Sequence, residues 1–348
     1  MSEPDPPPPQ SADAVEPVED GSPHSRRHLA LRVLAAILVA AASLAADRLW
    51  LQGDAARDTY GATVRTKVID SALLDREMNV KVVVPKGAPA KDRGLVVFLH
   101  GRDENETSYL VDPMFEALAA LRTRAPVIAF PDGGNSSYWH DRDSGDWGSY
   151  VLDEVIPALV ERFDIDPGRI AIGGISMGGF GAYDLARLQP ETFCAVAGHS
   201  PALWESAGET ADGAFDDAAD FETNDVIAIA GTGSGPYSDM KVWLDAGDDD
   251  PFLDGDAAFE KALRASGSSP VVKHPDGGHD SSYWNGNWSE YLGWYAHVLR
   301  KCGERRGGAR PGEPGATSSS GPSSPEARRD GREGASPQPG PSDRRSRG

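Results

Sequence analysis

The stretch Arg169-Ile-Ala-Ile-Gly-Gly-Ile-Ser-Met-Gly-Gly-Phe-Gly-Ala-Tyr183 decides how the chain is read. A short apolar run bounded by glycines predicts a buried strand, and the small and apolar residues after it predict a helix. Between them, Gly174-Ile175-Ser176-Met177-Gly178 matches G-x-S-x-G, the pattern of a nucleophile elbow. A serine hydroxyl carried clear of a sheet on so tight a turn leaves no room for large neighbours, so the flanking positions need glycine. The N–H groups and positive dipole end of the following helix would favour an oxyanion beside the serine. A glycine-rich turn with an incidental serine has the same local sequence. The rest of the chain must separate the two readings.

In such a fold an acid and a histidine follow the serine in chain order, each on a loop after a later strand. Val242-Trp243-Leu244 leads into Asp245-Ala-Gly-Asp-Asp-Asp-Pro-Phe252, and Val271-Val272 leads into Lys273-His-Pro-Asp-Gly-Gly-His-Asp280. His279 follows two glycines that let its loop curl toward Ser176, whereas His274 still sits at the strand end. Among Asp248, Asp249 and Asp250, mutual repulsion allows one to be buried against the histidine. Pro251 and Phe252 fix the chain just after Asp250, which favours Asp250 with Asp249 as the alternative. Ser176 would then be the nucleophile, His279 its base and Asp250 the residue orienting the base. The expected oxyanion donors are the backbone N–H groups of Met177 and Arg102. Trp139, His140, Trp147 and Trp284 are candidates to line the substrate pocket, since such sites are mostly apolar walls with few polar groups.

Around these loops, residues 57–302 alternate short apolar runs with helical stretches. That is the pattern of an α/β protein with a mostly parallel sheet covered on both faces. Residues 63–69 and 78–85 read as a leading antiparallel pair, 147–163 as an amphipathic helix and 289–300 as the closing helix. Residues 203–235 break the rhythm and read as a short helical excursion over the site. Cys194, in an apolar run, reads as a buried thiol, and with Cys302 as its sole companion no disulfide framework or zinc pattern emerges. No metal or cofactor is expected.

The motifs together resemble the putative-esterase branch of the α/β-hydrolases, which includes esterase D, feruloyl esterases and mycolyltransferases. They are Leu99-His-Gly-Arg102, Asp146-Trp-Gly-Ser-Tyr150 with Glu154-Val-Ile-Pro157, Gly174-Ile-Ser-Met-Gly-Gly179, Gly247-Asp-Asp-Asp-Pro-Phe252 and Gly277-Gly-His-Asp-Ser-Ser-Tyr-Trp284. The resemblance spans roughly residues 60–300 and implies a single α/β-hydrolase domain. It also implies a serine carboxylic-ester hydrolase working through an acyl-enzyme, with Asp250 as the acid. Transfer of the acyl group to a sugar hydroxyl is the mycolyltransferase-like alternative, and a catalytically silent envelope-binding module is a third. Where the cytosolic thioester hydrolases carry a cysteine after the first buried strand, this chain reads Arg102-Asp-Glu-Asn-Glu-Thr107. That argues against S-formylglutathione as substrate. Asn135-Ser-Ser-Tyr-Trp-His140 is similar to an aromatic loop of the mycolyltransferases.

The 348-residue chain has a formal net charge of −20, which argues against a nucleic-acid partner. A small-molecule, lipid or glycan ester is the expected substrate, and oligomeric state is not legible. Residues 1–28 are rich in proline and acid and read as disordered, as do the Gly, Pro, Ser and Arg of 303–348. Arg26-Arg27-His28 precedes the apolar segment 29–46, which reads as a signal peptide or a signal anchor. Arg32 leaves a clean run of about 14 residues, short of the roughly 20 that span a bilayer. Either reading exports the catalytic domain, and the second anchors it to the membrane through 29–46.

Overall fold

The computed structural model describes residues 58–308 apart from 90 and 234, so both segments 1–28 and 29–46, and the tail beyond 308, lie outside the described residues. The expected leading pair is β1 (Thr63–Ser71) and β2 (Arg76–Val84), antiparallel in register from Thr63↔Val84 to Ser71↔Arg76. β3 (Arg93–Leu99), β4 (Val127–Pro131), β7 (Ile165–Ile175), β8 (Ala195–His199), β9 (Lys241–Asp245) and β10 (Val271–Lys273) complete an eight-stranded sheet of order β1-β2-β4-β3-β7-β8-β9-β10. β2 meets β4 antiparallel, and every pairing from β4 onward is parallel. β5 (Asp141–Arg142) and β6 (Gly145–Asp146) form a separate small hairpin.

Parallel strands need covered faces, and two apolar layers supply the cover. On one side pack α2 (Trp147–Ser149), a π-helical stretch (Tyr150–Val155) and α3 (Ile156–Phe163), which together occupy the single helix expected over 147–163. α4 (Met177–Leu188), α6 (Val226–Ala230) and α7 (Leu253–Ala265) join that layer, and α5 (Ala218–Thr223) lies in the same excursion as α6. On the other side lie α1 (Asp112–Ala120) and α8 (Ser281–Gly308), contributing Phe115 and Leu118 from α1 and Trp288, Tyr291, Tyr295 and Leu299 from α8.

Two expectations change. The closing helix begins at Ser281 rather than 289, because the Asp280 carboxylate accepts the amides of Ser282 (2.8 Å) and Tyr283 (3.2 Å) and so caps it. It also runs on to Gly308, past the expected start of the tail at 303. Cys194 is not a free thiol: it forms a disulfide with Cys302, 108 positions away, with the Cα atoms 6.1 Å apart. The pairing arises when α8 crosses the sheet and brings its end to the entry of β8, a proximity that spacing alone does not reveal. Among the described residues no helix is long and apolar enough to cross a membrane.

Candidate active site

The carboxyl ends of β7, β9 and β10 point to the same edge of the sheet, where open α/β folds hold their ligands. At the end of β7, Ser176 adopts φ 55°, ψ −117°, a backbone state that a non-glycine residue keeps only when its surroundings impose it. Its N–H donates to the carbonyl of His199 (3.0 Å), and its own carbonyl accepts the amides of Gly179 (2.9 Å), Ala202 (3.0 Å) and Phe180 (3.1 Å). The turn is as tight as the glycines suggest. A Cβ on Gly174 would stand 2.5 Å from the Gly178 carbonyl and 2.6 Å from the Leu99 oxygen.

Ser176 Oγ lies 2.9 Å from His279 Nε2, and His279 Nδ1 lies 2.9 Å from Asp250 Oδ2. The three sequence-predicted residues are therefore brought into one hydrogen-bonded chain. The adjacent aspartates sort by burial: Asp250 is 4 % exposed, while Asp248 and Asp249 face solvent. Burial pushes the Asp250 carboxyl up, but bonds from His279, the Phe252 amide and the Ser200 hydroxyl outweigh it and hold the group below the usual carboxylate range. Asp248 has another use. Its carboxylate accepts the Gly277 amide (3.0 Å), its own amide donates to the Pro275 carbonyl (3.0 Å), and the Asp249 amide donates to the Gly277 carbonyl (2.9 Å). These bonds pin the loop carrying Asp250 to the loop carrying His279. Phe252 and Trp284 then meet the His279 ring edge-to-face, with centroids 5.1 and 5.2 Å away, and narrow its rotational freedom.

Met177 occupies the first position of α4, where an amide has no intrahelical acceptor. On the loop after β3, the Gly101 amide is taken by the Glu104 carboxylate (2.8 Å) and the Tyr109 hydroxyl (3.2 Å), and the Asp103 amide by the Asn135 carbonyl (2.8 Å). The Arg102 amide between them has no acceptor among the described residues. The backbones of the β3 end and the α4 start touch at Gly178, where a Cβ would collide with the Leu99 carbonyl, so the loop that carries Arg102 starts against the Ser176 turn.

Three of the four proposed pocket residues lie elsewhere. Trp139 is fully enclosed, its indole N–H donating to the His100 carbonyl (3.1 Å). His140, 1 % exposed, bonds the Asp220 carboxylate (3.0 Å) and stacks on Phe215. Trp147, 5 % exposed, bonds Ser144 (3.2 Å) beneath the Arg76 guanidinium. Each leaves no face for a substrate, because burying these rings is what fixes the long loop after β4. Trp284 does stand at the site, although its indole N–H turns inward to the Ser200 hydroxyl (3.0 Å).

The sequence reading missed a buried layer directly beneath. The Asp245 carboxylate accepts from Trp243 Nε1 (2.6 Å), Tyr283 Oη (2.7 Å) and Tyr291 Oη (2.9 Å), and pairs with His199 Nδ1 (2.6 Å). His199 in turn meets Tyr295 Oη at 3.1 Å and stacks on Tyr291. Ser200, fully buried and at φ 47°, follows it and donates its amide to the Asp245 carbonyl (2.5 Å). A signal was present: His199-Ser-Pro201 and Asp245 both end apolar strands, where polar residues face the site edge.

Beside His279, Phe252 also borders a cleft of about 360 Å³ lined by Leu203, Trp204, Glu205, Glu209 and Asp254. Trp204 packs edge-on against Phe252, so the excursion after β8 forms one wall.

Comparison with known proteins agrees with this architecture. The family model described as "Putative esterase" matches residues 71–296. An acetyl esterase of Caldicellulosiruptor saccharolyticus is 25 % identical over 260 residues, covering 66 % of this chain and 96 % of that protein. The S-formylglutathione hydrolase of Rattus norvegicus is 30 % identical over 144 residues, covering 39 % of this chain; the match spans about half (50 %) of that relative. Among solved structures, a ferulic acid esterase superposes with a TM-score of 0.61 at 23 % identity, over 68 % of this chain and 98 % of that one.

Proposed function

The chain belongs to the putative esterase family, and from that premise we propose that it is an exported serine hydrolase of carboxylic esters working through an acyl-enzyme. The observation that carries the proposal is the continuous Ser176–His279–Asp250 hydrogen-bond chain, with both links at 2.9 Å. His279 Nε2 takes the Ser176 proton as Oγ bonds the acyl carbon, and the carbonyl oxygen becomes an oxyanion. The amides of Met177 and Arg102 receive that oxyanion; one such donor is typically worth about 3 kcal/mol of barrier. Asp250, held ionised, keeps the ring in the tautomer that leaves Nε2 free to accept and stabilises the imidazolium. His279 then returns the proton to the departing alcohol oxygen, and water repeats the sequence on the acyl-enzyme, regenerating Ser176.

The leaving group departs on the His279 side, and the cleft bordered by Phe252 is the space offered there. Its carboxylates, Glu205, Glu209 and Asp254, enter no salt bridge among the described residues and would repel an anionic leaving group. Neutral esters are therefore the expected substrates, and a glutathione thioester a poor one. Export is supported by the Cys194–Cys302 disulfide, since such bonds persist in oxidising compartments.

The test is fluorophosphonate labelling with mass mapping, alongside turnover of a neutral short-chain ester. An adduct on Ser176 and no turnover by Ser176→Ala are expected. Equal turnover by that variant would sink the proposal.

A further inference from the structure

At the opposite, amino edge of the sheet lies a cleft of about 120 Å³ lined by Arg93, Arg124, Arg169 and Arg300, with Thr123 and Leu299. It sits beside the starts of β3 and α8's last turns, seven strand residues along β7 from Ser176, or roughly 23 Å. Two of the guanidinium groups are fixed by backbone carbonyls. Arg169 donates from Nη1 to Asp92 O (2.6 Å) and from Nε to Leu299 O (3.2 Å). Arg93 donates from Nε to Pro89 O (2.5 Å) and from Nη1 to Phe163 O (3.2 Å). Each anchor engages Nε and Nη1 and leaves Nη2 as the nitrogen with no bond of its own among the described residues.

The charge pattern is the second observation. In a chain of net charge −20, Arg102, Arg142, Arg187 and Arg264 each pair with a carboxylate. Arg93, Arg124 and Arg169 are not among them, although carboxylates outnumber cations on this protein. Gly94 keeps the floor open: a Cβ there would stand 3.7 Å from Arg169 Nη2 and 3.3 Å from Leu299 Cδ1. Guanidinium groups around a small cavity, two of them held in place, with a leucine on one wall, suit a tetrahedral oxyanion attached to a short apolar group.

We propose that this cleft is a phosphate-binding site, separate from the esterase site, that takes a phosphate group either free or as the headgroup of an anionic lipid. Positioned there, the ligand would hold the amino edge of the sheet and leave the Ser176 edge facing away.

The test uses the full chain. Calorimetric titration with inorganic phosphate is compared between wild type, Arg124→Glu and Arg93→Gln, with turnover of a neutral ester confirming that each variant is folded. Wild type is expected to bind, each variant to bind about tenfold more weakly or worse, and turnover to stay unchanged. A parallel flotation assay compares phosphatidylglycerol–phosphatidylcholine vesicles with phosphatidylcholine alone. If Arg124→Glu loses phosphatidylglycerol-dependent flotation together with phosphate binding, the ligand is a lipid headgroup. If it loses phosphate binding alone, the ligand is free phosphate. Absence of phosphate binding and of phosphatidylglycerol-dependent flotation by wild type, or wild-type binding by both variants, overturns the proposal.

Discussion

Asp249 and Asp250 are neighbours of identical chemistry, and burial separates them: one faces solvent, the other is enclosed and bonded to His279 and the Phe252 amide. Asp250→Asn is expected to lower kcat by about 10³–10⁴-fold through loss of the correct imidazole tautomer, and Asp249→Asn to leave it near wild type. Steady-state kinetics normalised by fluorophosphonate titration decides between them. A third aspartate behaves oppositely. Asp256 is fully buried in the first turn of α7, with neither carboxylate oxygen bonded among the described residues. Burial, then the charges of Asp250 and Asp245, push its carboxyl well above the ordinary range. The folded state therefore keeps a proton that the unfolded chain releases near pH 4, so this group's contribution to stability falls as pH rises from there toward the folded pKa. Asp256→Asn, which cannot ionise, should raise Tm more at pH 8 than at pH 5; an equal shift at both would refute the assignment. Much of the site was legible at this scale because the elbow, the acid loop and the histidine loop are local patterns. Trp139, His140 and Trp147 were misread because a polar aromatic stretch has the same composition whether it walls a pocket or anchors a loop.

Strand ends explain why the three site residues meet. The β8 end supplies the carbonyl that holds the Ser176 amide, the β9 end opens the loop to Asp250, and α8 follows directly from the His279 loop. One carboxylate, Asp245, joins all three, binding His199 of β8, Trp243 of its own strand, and Tyr283 and Tyr291 of α8. Each Asp245 oxygen serves two of these buried groups, and Asp245→Asn replaces one oxygen with an NH2 that faces donors, leaving two of them without an acceptor at about 1–3 kcal/mol each. A lowered Tm and a smaller kcat per titratable serine are expected; a drop in Tm with unchanged kcat per site would mean that the network stabilises the fold without positioning the site. Sequence could not show this network, because its members lie on separate elements and acquire a common address only when the sheet forms. The strands themselves were legible from their apolar runs, whereas the start of α8 was not: its first turns, Ser281-Ser-Tyr-Trp-Asn-Gly-Asn287, are polar, and the cap at Asp280 carries the signal.

At the scale of the molecule, the sheet is closed on one side by α1 and α8, the last of the described elements. Its apolar face covers β3, β7 and β8 through Trp288, Tyr291, Tyr295 and Leu299, and its far end is tied covalently to the entry of β8 by Cys194–Cys302. The bond closes a loop containing the excursion and the acid and histidine loops, while Ser176 and the elbow helix precede it, so it restricts the part of the unfolded chain that carries two of the three candidate site residues. With its cysteines 108 positions apart, chain-entropy reasoning gives a large effect, and removal of native disulfides typically costs about 2–5 kcal/mol. Cys194→Ala/Cys302→Ala, or reduction of the wild type, should therefore lower the urea midpoint. The double variant should also become indifferent to reductant. The ester-hydrolysing activity that survives in dilute buffer should be nearly wild type per labelled Ser176, since neither sulfur touches the Ser176–His279–Asp250 chain. A midpoint unaffected by reduction would show that apolar burial by α8 alone holds the layer, and would remove the support that the disulfide lends to an oxidising location.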